Sequence, residues 1–351
     1  MYNYLKKIYE ALQDEESRII FESRCLFSLS GDMCHISKMV QKLIDRYRQC
    51  DQMYDLLQWL DRREKKYLVV FGAGFAGREV VTALEVFGRV VSFICDNDVS
   101  LHGVERYGKK IVSADQLNEI KNDVNVILGT NLYVEDIRSQ LNTMGVSCDN
   151  IYVPYKEWWL GNERQYFDSQ IMRPKENEIF IDGGSFRGED TLAFIMWCKS
   201  KYEKIYIFEP DKLNYQKICR DFSGFERNKI SILNKGLWNQ ENTMNFSSNK
   251  YASSHVAKEG TVQIQVNSID AILQGNKASF IKMDIEGCEM EALRGACYTI
   301  RQYRPKLAIC VYHKPEDIFE IPLEILKINP DYRLYLRHYS YIFTETVLYA
   351  V

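Results

Sequence analysis

No two of the ten cysteines in this 351-residue chain form a C-x-x-C pair. That spacing argues against structural zinc and against a disulfide framework. Cys95, Cys198, Cys219 and Cys310 instead lie in or beside apolar runs, where reduced core cysteines belong. Long apolar runs are also missing. The opening MYNYLKKIYEALQDEESRII is interrupted by charge throughout, and no stretch of about 20 apolar residues follows. These absences predict no signal peptide, no membrane span and a cytoplasmic protein. Neither sign of charge dominates: 45 basic and 48 acidic residues give a net charge of −3, which argues against nucleic acid or an anionic membrane as partner. Low-complexity tracts are absent, and so are internal repeats beyond two α/β sheets in tandem. The first 60 residues lack both proline and strand alternation.

A chain of this length with 46% hydrophobic and 26% charged residues predicts two globular units. Leu43, Ile44, Tyr47, Met53, Leu56, Leu57 and Leu60 recur at helical intervals, so residues 1–60 read as a helical region. It either packs on the next domain or mediates a homodimer. From Tyr67 the pattern becomes strand, turn, helix. Gly72, Gly74 and Gly77 complete a G-x-G-x-x-G directly after the strand, with Asp96 about 20 residues on. Residues 61–155 therefore read as a small Rossmann-like α/β domain. Its glycines either form a second site, for a nucleotide or nucleotide sugar, or serve close packing of helix on strand. Residues 156–177, with Trp158, Trp159, Tyr166 and Phe167, read as a connection, with its aromatics available for packing or for covering a ligand.

A second α/β unit is expected over residues 178–351. Apolar strands are predicted at 178–182, 204–209, 229–233, 279–284 and 306–312, followed by an antiparallel hairpin over 333–339 and 346–351. The first strand runs into Asp182, Gly183, Gly184 and Ser185, and the second ends in Glu209. An acidic residue at that strand end accepts ribose hydroxyls in doubly wound sheets, so an adenosine-containing ligand is predicted. The loop D-G-G-S-F-R-G lacks the full pyrophosphate spacing, which favours S-adenosylmethionine over NAD.

IDGGSFRGEDT, YIFEPD, NKGLW, FIKMDIEGCEMEALRGA and the ending LRHYS-YIFTETVLYAV, in that order, resemble the FkbM family of S-adenosylmethionine-dependent methyltransferases. The resemblance covers about residues 178–351. It implies a class I methyltransferase fold, a Rossmann-like seven-stranded sheet, preceded here by the helical segment and the smaller domain. Gly184 and Ser185 stand where the family's first motif usually has Ala-Asn. Carried over by position, Asp182, Gly183, Gly184 and Ser185 would surround the cofactor's methionine part and Glu209 its ribose. Asp211 and Leu213 would approach the adenosine, and Asn234 to Gly236 the adenine.

The resemblance also places the segment beginning at Asp284 by the reacting centre. Methyl transfer needs an aligned nucleophile and, for a hydroxyl, a proton acceptor. Asp284, Glu286 and His313 are the candidate catalytic groups, with His313 as base near neutral pKa. The same trio could instead hold a divalent metal, and Lys282 could pair with one of these carboxylates. The polar run between Trp238 and Ile264 is too irregular for a buried strand; Ser253, Ser254 and His255 there are candidates for acceptor recognition, as are Tyr312, Tyr335 and His338. The expected activity is O-methylation of a sugar, glycan or other small molecule. The alternatives are an NAD-dependent oxidoreductase built on 61–155 and a non-catalytic nucleotide-binding scaffold.

Overall fold

Strands rich in Ile, Val and Phe that end in glycine or acidic residues organise both halves of the chain. The computed structural model describes residues 2–46, 51–130, 132–154, 164–247, 255–256 and 262–351. Two compact units result: one comprises residues 1–31, 163–338 and 344–351, the other 32–162 and 339–343.

The larger unit carries a seven-stranded sheet, in the spatial order Leu334–His338, Thr346–Ala350, Lys306–Cys310, Phe280–Met283, Glu178–Gly183, Tyr202–Phe208, Ile230–Leu233. This is the class I methyltransferase fold. Five strands run parallel. The expected hairpin forms, but Thr346–Ala350 enters between Lys306–Cys310 and Leu334–His338 and is antiparallel to both. Only this one strand opposes the others, and all five of its residues are buried. Parallel strands covered on both faces need apolar residues at nearly every position, which is why these runs are continuous rather than alternating.

Residues 1–60 do form helices, at Tyr2–Ala11, Glu15–Ser30, Cys34–Arg46 and Asp51–Asp61. They do not form one region. Gly31, with φ 67°, caps the helix Glu15–Ser30, and the chain before it belongs to the larger unit while the chain after it belongs to the smaller. Leu12 bridges Leu334, Gln13 N donates to Leu334 O at 3.0 Å, and Leu336 N donates to Ser17 Oγ at 2.9 Å. Residues 12–17 thus cover part of the sheet's outer edge at Leu334–His338, which would otherwise expose unpaired backbone groups. Arg337 secures this contact, lying 2.7 Å from Asp14 Oδ2, 3.3 Å from Glu16 Oε2 and 3.5 Å from Asp168 Oδ2.

The expected connection 156–177 is likewise reassigned in part. Trp158 and Trp159 lie outside the described residues. Tyr166 and Phe167 are buried, with Phe167 packed against Phe180, Phe194, Trp197 and Phe280. The polar run after Trp238 also differs from expectation. Gly236–Leu237, Asn242–Ser247, His255–Val256 and Val262–Asn267 make a separate four-stranded sheet. Its strands escape a hydrophobicity reading because only Ile264 and alternate neighbours turn inward.

The smaller unit holds a six-stranded sheet whose centre is Phe93–Cys95, Tyr67–Phe71 and Val124–Leu128, all parallel. Among the described residues, no helix of either unit is long and apolar enough to cross a membrane.

Replacing Arg337 with leucine should remove about 3–5 kcal/mol from the larger unit, because three carboxylates would lose their buried counter-charge. Urea unfolding followed by tryptophan fluorescence measures this; a loss under about 1 kcal/mol would show that the edge contact is not held by these charges.

Candidate active site

Lys282 stands beside Asp182 across neighbouring parallel strands, and both are fully buried. Its Nζ is 3.2 Å from Asp182 Oδ1 and 2.9 Å from Asp190 Oδ2, and it donates to Gly184 O at 2.8 Å. Burial alone would strip the ammonium of its proton, but Asp182, Asp190 and Asp284 raise its pKa above the ordinary lysine value. Lys282 therefore makes its ion pairs with Asp182 and Asp190 rather than with Asp284 or Glu286. The Ser185 and Thr191 hydroxyls donate to Asp182 Oδ2 at 2.8 and 2.5 Å. Asp182 and Ser185 consequently hold the loop in shape. Gly184, at φ +75°, could not carry a side chain, since a Cβ would fall 1.8 Å from Asp284 O. A Cβ on Gly183 would meet Leu237 at 2.6 Å. These glycines bring the first loop directly against the segment that begins at Asp284.

Glu209 is 5% exposed and receives one backbone amide on each oxygen, from Phe186 N and Asp211 N, both at 2.8 Å. Burial pushes its carboxyl up to about 7 despite these two donors. Each oxygen retains a lone pair, so the carboxylate can also accept from a ribose diol. The donor set fits an adenosyl cofactor at this edge. Its neighbours do less than expected. Asp211 caps the helix Lys212–Asp221 by accepting from Leu213 N and Asn214 N, and Leu213 is exposed. Asn234 Nδ2 donates to the Glu209 and Pro210 carbonyls at 2.9 and 3.0 Å, bracing the strand end that carries Glu209. Gly236 is buried in the small sheet, where a Cβ would press on Val266 at 3.2 Å.

At the carboxyl ends of Phe280–Met283 and Lys306–Cys310 the structure brings all three candidate catalytic groups together. His313 Nε2 is 3.3 Å from Asp284 Oδ1 and 3.7 Å from Glu286 Oε2, while Nδ1 lies 2.8 Å from Glu289 Oε1. Tyr166 donates to Asp284 Oδ2 at 2.8 Å. Burial favours neutral imidazole, but the Glu289 charge and the contacts to Asp284 and Glu289 raise the His313 pKa well above its usual value. These contacts favour the imidazolium over the free base that the sequence suggests. Burial would raise Asp284, yet His313, Lys282 and Tyr166 hold it well below the usual carboxylate range. Asp284, Glu289 and His313 each bring one potential ligand atom within 4.8 Å of the others. This is not the expected Asp284–Glu286–His313 metal trio, because Glu289 takes the place of Glu286.

Several participants carry no motif-level signal. Asp190 and Glu289 stand inside quoted motifs but are identified only by their contacts, and Tyr166 arrives from the preceding segment. Gln165 Nε2 donates to Tyr166 OH at 3.1 Å and to Glu345 Oε2 at 2.7 Å, and Tyr312 OH donates to Glu345 Oε1 at 3.3 Å. Of the expected acceptor-binding residues, Ser253 and Ser254 lie outside the described residues. His255 pairs through its backbone opposite Ser247. His338 is fully buried in the hairpin, its Nδ1 2.8 Å from Thr346 Oγ1. Tyr335 lies alongside Arg337, whose guanidinium carbon is 5.9 Å from the ring centroid.

In the smaller unit, Gly72 and Gly77 serve close packing. A Cβ on Gly77 would sit 1.9 Å from Gly72 O, and one on Gly72, at φ +119°, 2.7 Å from Gly129 O. Gly74 differs, because a Cβ there meets nothing within 4 Å. Asp96 accepts from Ala73 N at 2.7 Å and Asp98 N at 2.8 Å, tying the strand end to the glycine loop.

The match to known proteins divides the chain at similar places. Residues 182–343 match the methyltransferase FkbM domain, and residues 64–152 match the C2185-like amino-terminal domain. A methyltransferase FkbM from Methylobacillus flagellatus KT is similar in structure, with a TM-score of 0.50 and 22% identity over 92% of this chain and 100% of that one. An rRNA methylase from Streptococcus thermophilus aligns over 50% of this chain and 87% of its own, at 14% identity and a TM-score of 0.32. UDP-D-quinovosamine 4-dehydrogenase from Vibrio fischeri aligns over 25% of this chain and 77% of its own, at 21% identity and a TM-score of 0.22. No curated protein matches the chain. Residues 182–343 are thus a methyltransferase FkbM domain.

Proposed function

We propose that the larger unit uses S-adenosylmethionine to methylate a hydroxyl of a sugar, glycan or related small molecule. The observation that carries this reading is the adjacency of two features at one sheet edge. Glu209 offers a buried ribose acceptor, and Asp284 is fixed by Tyr166 and His313 beside the glycine loop. Bound there, the cofactor supplies an electrophilic methyl carbon on its sulfonium. Glu209 takes the ribose hydroxyls. The carboxylates of Asp284 and Glu286, partly open to solvent, favour the sulfonium charge and accept hydrogen bonds from the acceptor's other hydroxyls. His313 holds Asp284 in one orientation. Orientation is worth much here, since an in-line displacement tolerates little misplacement. A sugar acceptor is favoured by this polar, carboxylate-rich edge, where ring hydroxyls find acceptors; the smaller unit then serves a nucleotide or nucleotide-linked sugar at Gly74 and Asp96.

Glu209→Ala should weaken S-adenosylmethionine binding about 10- to 100-fold, the equivalent of about 1.5–3 kcal/mol for a hydrogen bond to a charged group. Calorimetric titration measures it, and unchanged affinity would refute the ribose assignment.

Because burial raises the Glu209 carboxyl to about 7, it gains a proton as pH falls through 7 and loses its full acceptor capacity. Cofactor affinity should therefore fall between pH 8 and pH 6, approaching tenfold per unit; a flat profile over that window counts against a carboxylate that must be ionised.

His313→Asn should lower turnover at least tenfold while leaving S-adenosylmethionine affinity within threefold. Equal loss of both would assign His313 to folding.

Gly74→Val fits the space and spares the packing, so it separates the two roles of the glycine loop. Loss of nucleotide-sugar or NAD binding with S-adenosylmethionine binding intact is expected. Failure of the parent to bind any of these nucleotides would remove the second site.

A further inference from the structure

We infer that Glu345 is the group that accepts the proton of the acceptor hydroxyl, an assignment that rests on the methyl-transfer reading above. Glu345 immediately precedes the strand Thr346–Ala350, which runs antiparallel to Lys306–Cys310. The start of an antiparallel strand lies at the carboxyl edge of its parallel neighbours. Glu345 therefore reaches the same edge as Asp284 and His313, although it lies 32 positions beyond His313 in sequence, with a helix and a strand between them. Both oxygens are aimed: Gln165 Nε2 holds Oε2 at 2.7 Å and Tyr312 OH meets Oε1 at 3.3 Å. Gln165 also reaches Tyr166, whose hydroxyl binds Asp284, so one hydrogen-bonded chain links the two carboxylates. The residue is only partly buried, and it keeps a left-handed backbone at φ 61° without being glycine. Such strain persists where surrounding structure requires it, commonly at functional sites.

The neighbouring groups are poorly suited to the task. His313 is engaged on both ring nitrogens, by Asp284 and Glu289, and Asp284 is engaged by Tyr166 and His313. Glu289 is fully buried and committed to Ile285 N and His313. Facing Glu345 are Gln165, Tyr166, Cys310, Tyr312, Asp284 and His313. Burial and then the Asp284 charge push its carboxyl up to about 7, against the lowering influence of Gln165, His313 and Tyr312. A carboxylate near that value matches a proton acceptor working at neutral pH. In the step itself, an oxygen lone pair of the acceptor attacks the methyl carbon and the carbon–sulfur bond breaks with its electron pair going to sulfur. The O–H pair stays on the acceptor oxygen as the proton passes to Glu345, which returns it to solvent. The products are the methyl ether and S-adenosylhomocysteine.

The test uses the full chain with Glu345→Gln, Glu345→Asp and Glu286→Gln variants, S-adenosylmethionine as donor, and a panel of free hexoses and methyl glycosides as acceptors. Glu345→Gln should cut kcat by about 10²- to 10⁴-fold, the range for general base catalysis, with the S-adenosylmethionine Kd within threefold. The pH–kcat limb near 7 should disappear, and Glu345→Asp should restore part of the rate. A kcat within threefold of the parent, equal loss of cofactor binding, or the large loss appearing only in Glu286→Gln would overturn the assignment. If the parent methylates no member of the panel, the sugar-hydroxyl reading fails, and Glu345 is then judged by carbon-13 NMR of carboxyl-labelled glutamate. A resonance missing from Glu345→Gln that titrates near 7 supports the assignment; one titrating below about 5 overturns it.

Discussion

A single buried ammonium organises the catalytic edge of the larger unit. Lys282 is enclosed completely, and only the nearby carboxylates of Asp182 and Asp190 and the carbonyl of Gly184 make that tolerable. A buried charge that loses its partners costs several kcal/mol, so these four groups stand or fall together. Asp182 then gathers Ser185 and Thr191, and Gly184 is drawn so close to Asp284 that no side chain fits. The glycine loop and the segment beginning at Asp284 are in this way one rigid object. Glu209 and Asp284, on different strands, inherit their relative positions from it.

Around that object the charges alternate. Against the effect of burial, the His313 contact lowers Asp284, and the charge of Glu289, fixed in place by Ile285 N, raises His313. Burial raises two further carboxyls of the same unit, Glu209 and Glu345, to about 7. Groups with values pushed apart by environment can take different parts in one reaction.

The strands of both sheets were legible because parallel strands covered on both faces are continuous apolar runs with abrupt ends. Asp182, Glu209 and Asp284 could be found for the same reason, each closing such a run. Asp211 and Asn234 were assigned to a ligand although local chemistry claims them: D-K-L-N is a helix cap, and a side-chain amide bridges two carbonyls. The small sheet at Gly236–Asn267 stayed hidden because its strands turn one side to water and carry Gln and Asn there. Division of the first 60 residues at Gly31 depends on which distant surface each helix meets. Gln165 and Glu345 meet across 180 positions of sequence, a pairing that no local spacing encodes.

The contact between Ser17 and Leu336 spans 319 positions, with most of the smaller unit encoded between the segments it joins. Loops of that length close slowly, because non-local contacts must overcome chain entropy before they repay it. During synthesis the helices before Gly31 leave the ribosome long before the sheet edge they cover exists. Their apolar residues, Ile8, Leu12, Ile20 and Phe21 among them, wait through that interval for the carboxyl-terminal elements that bury them, and exposed apolar surface of this kind favours aggregation before folding is complete.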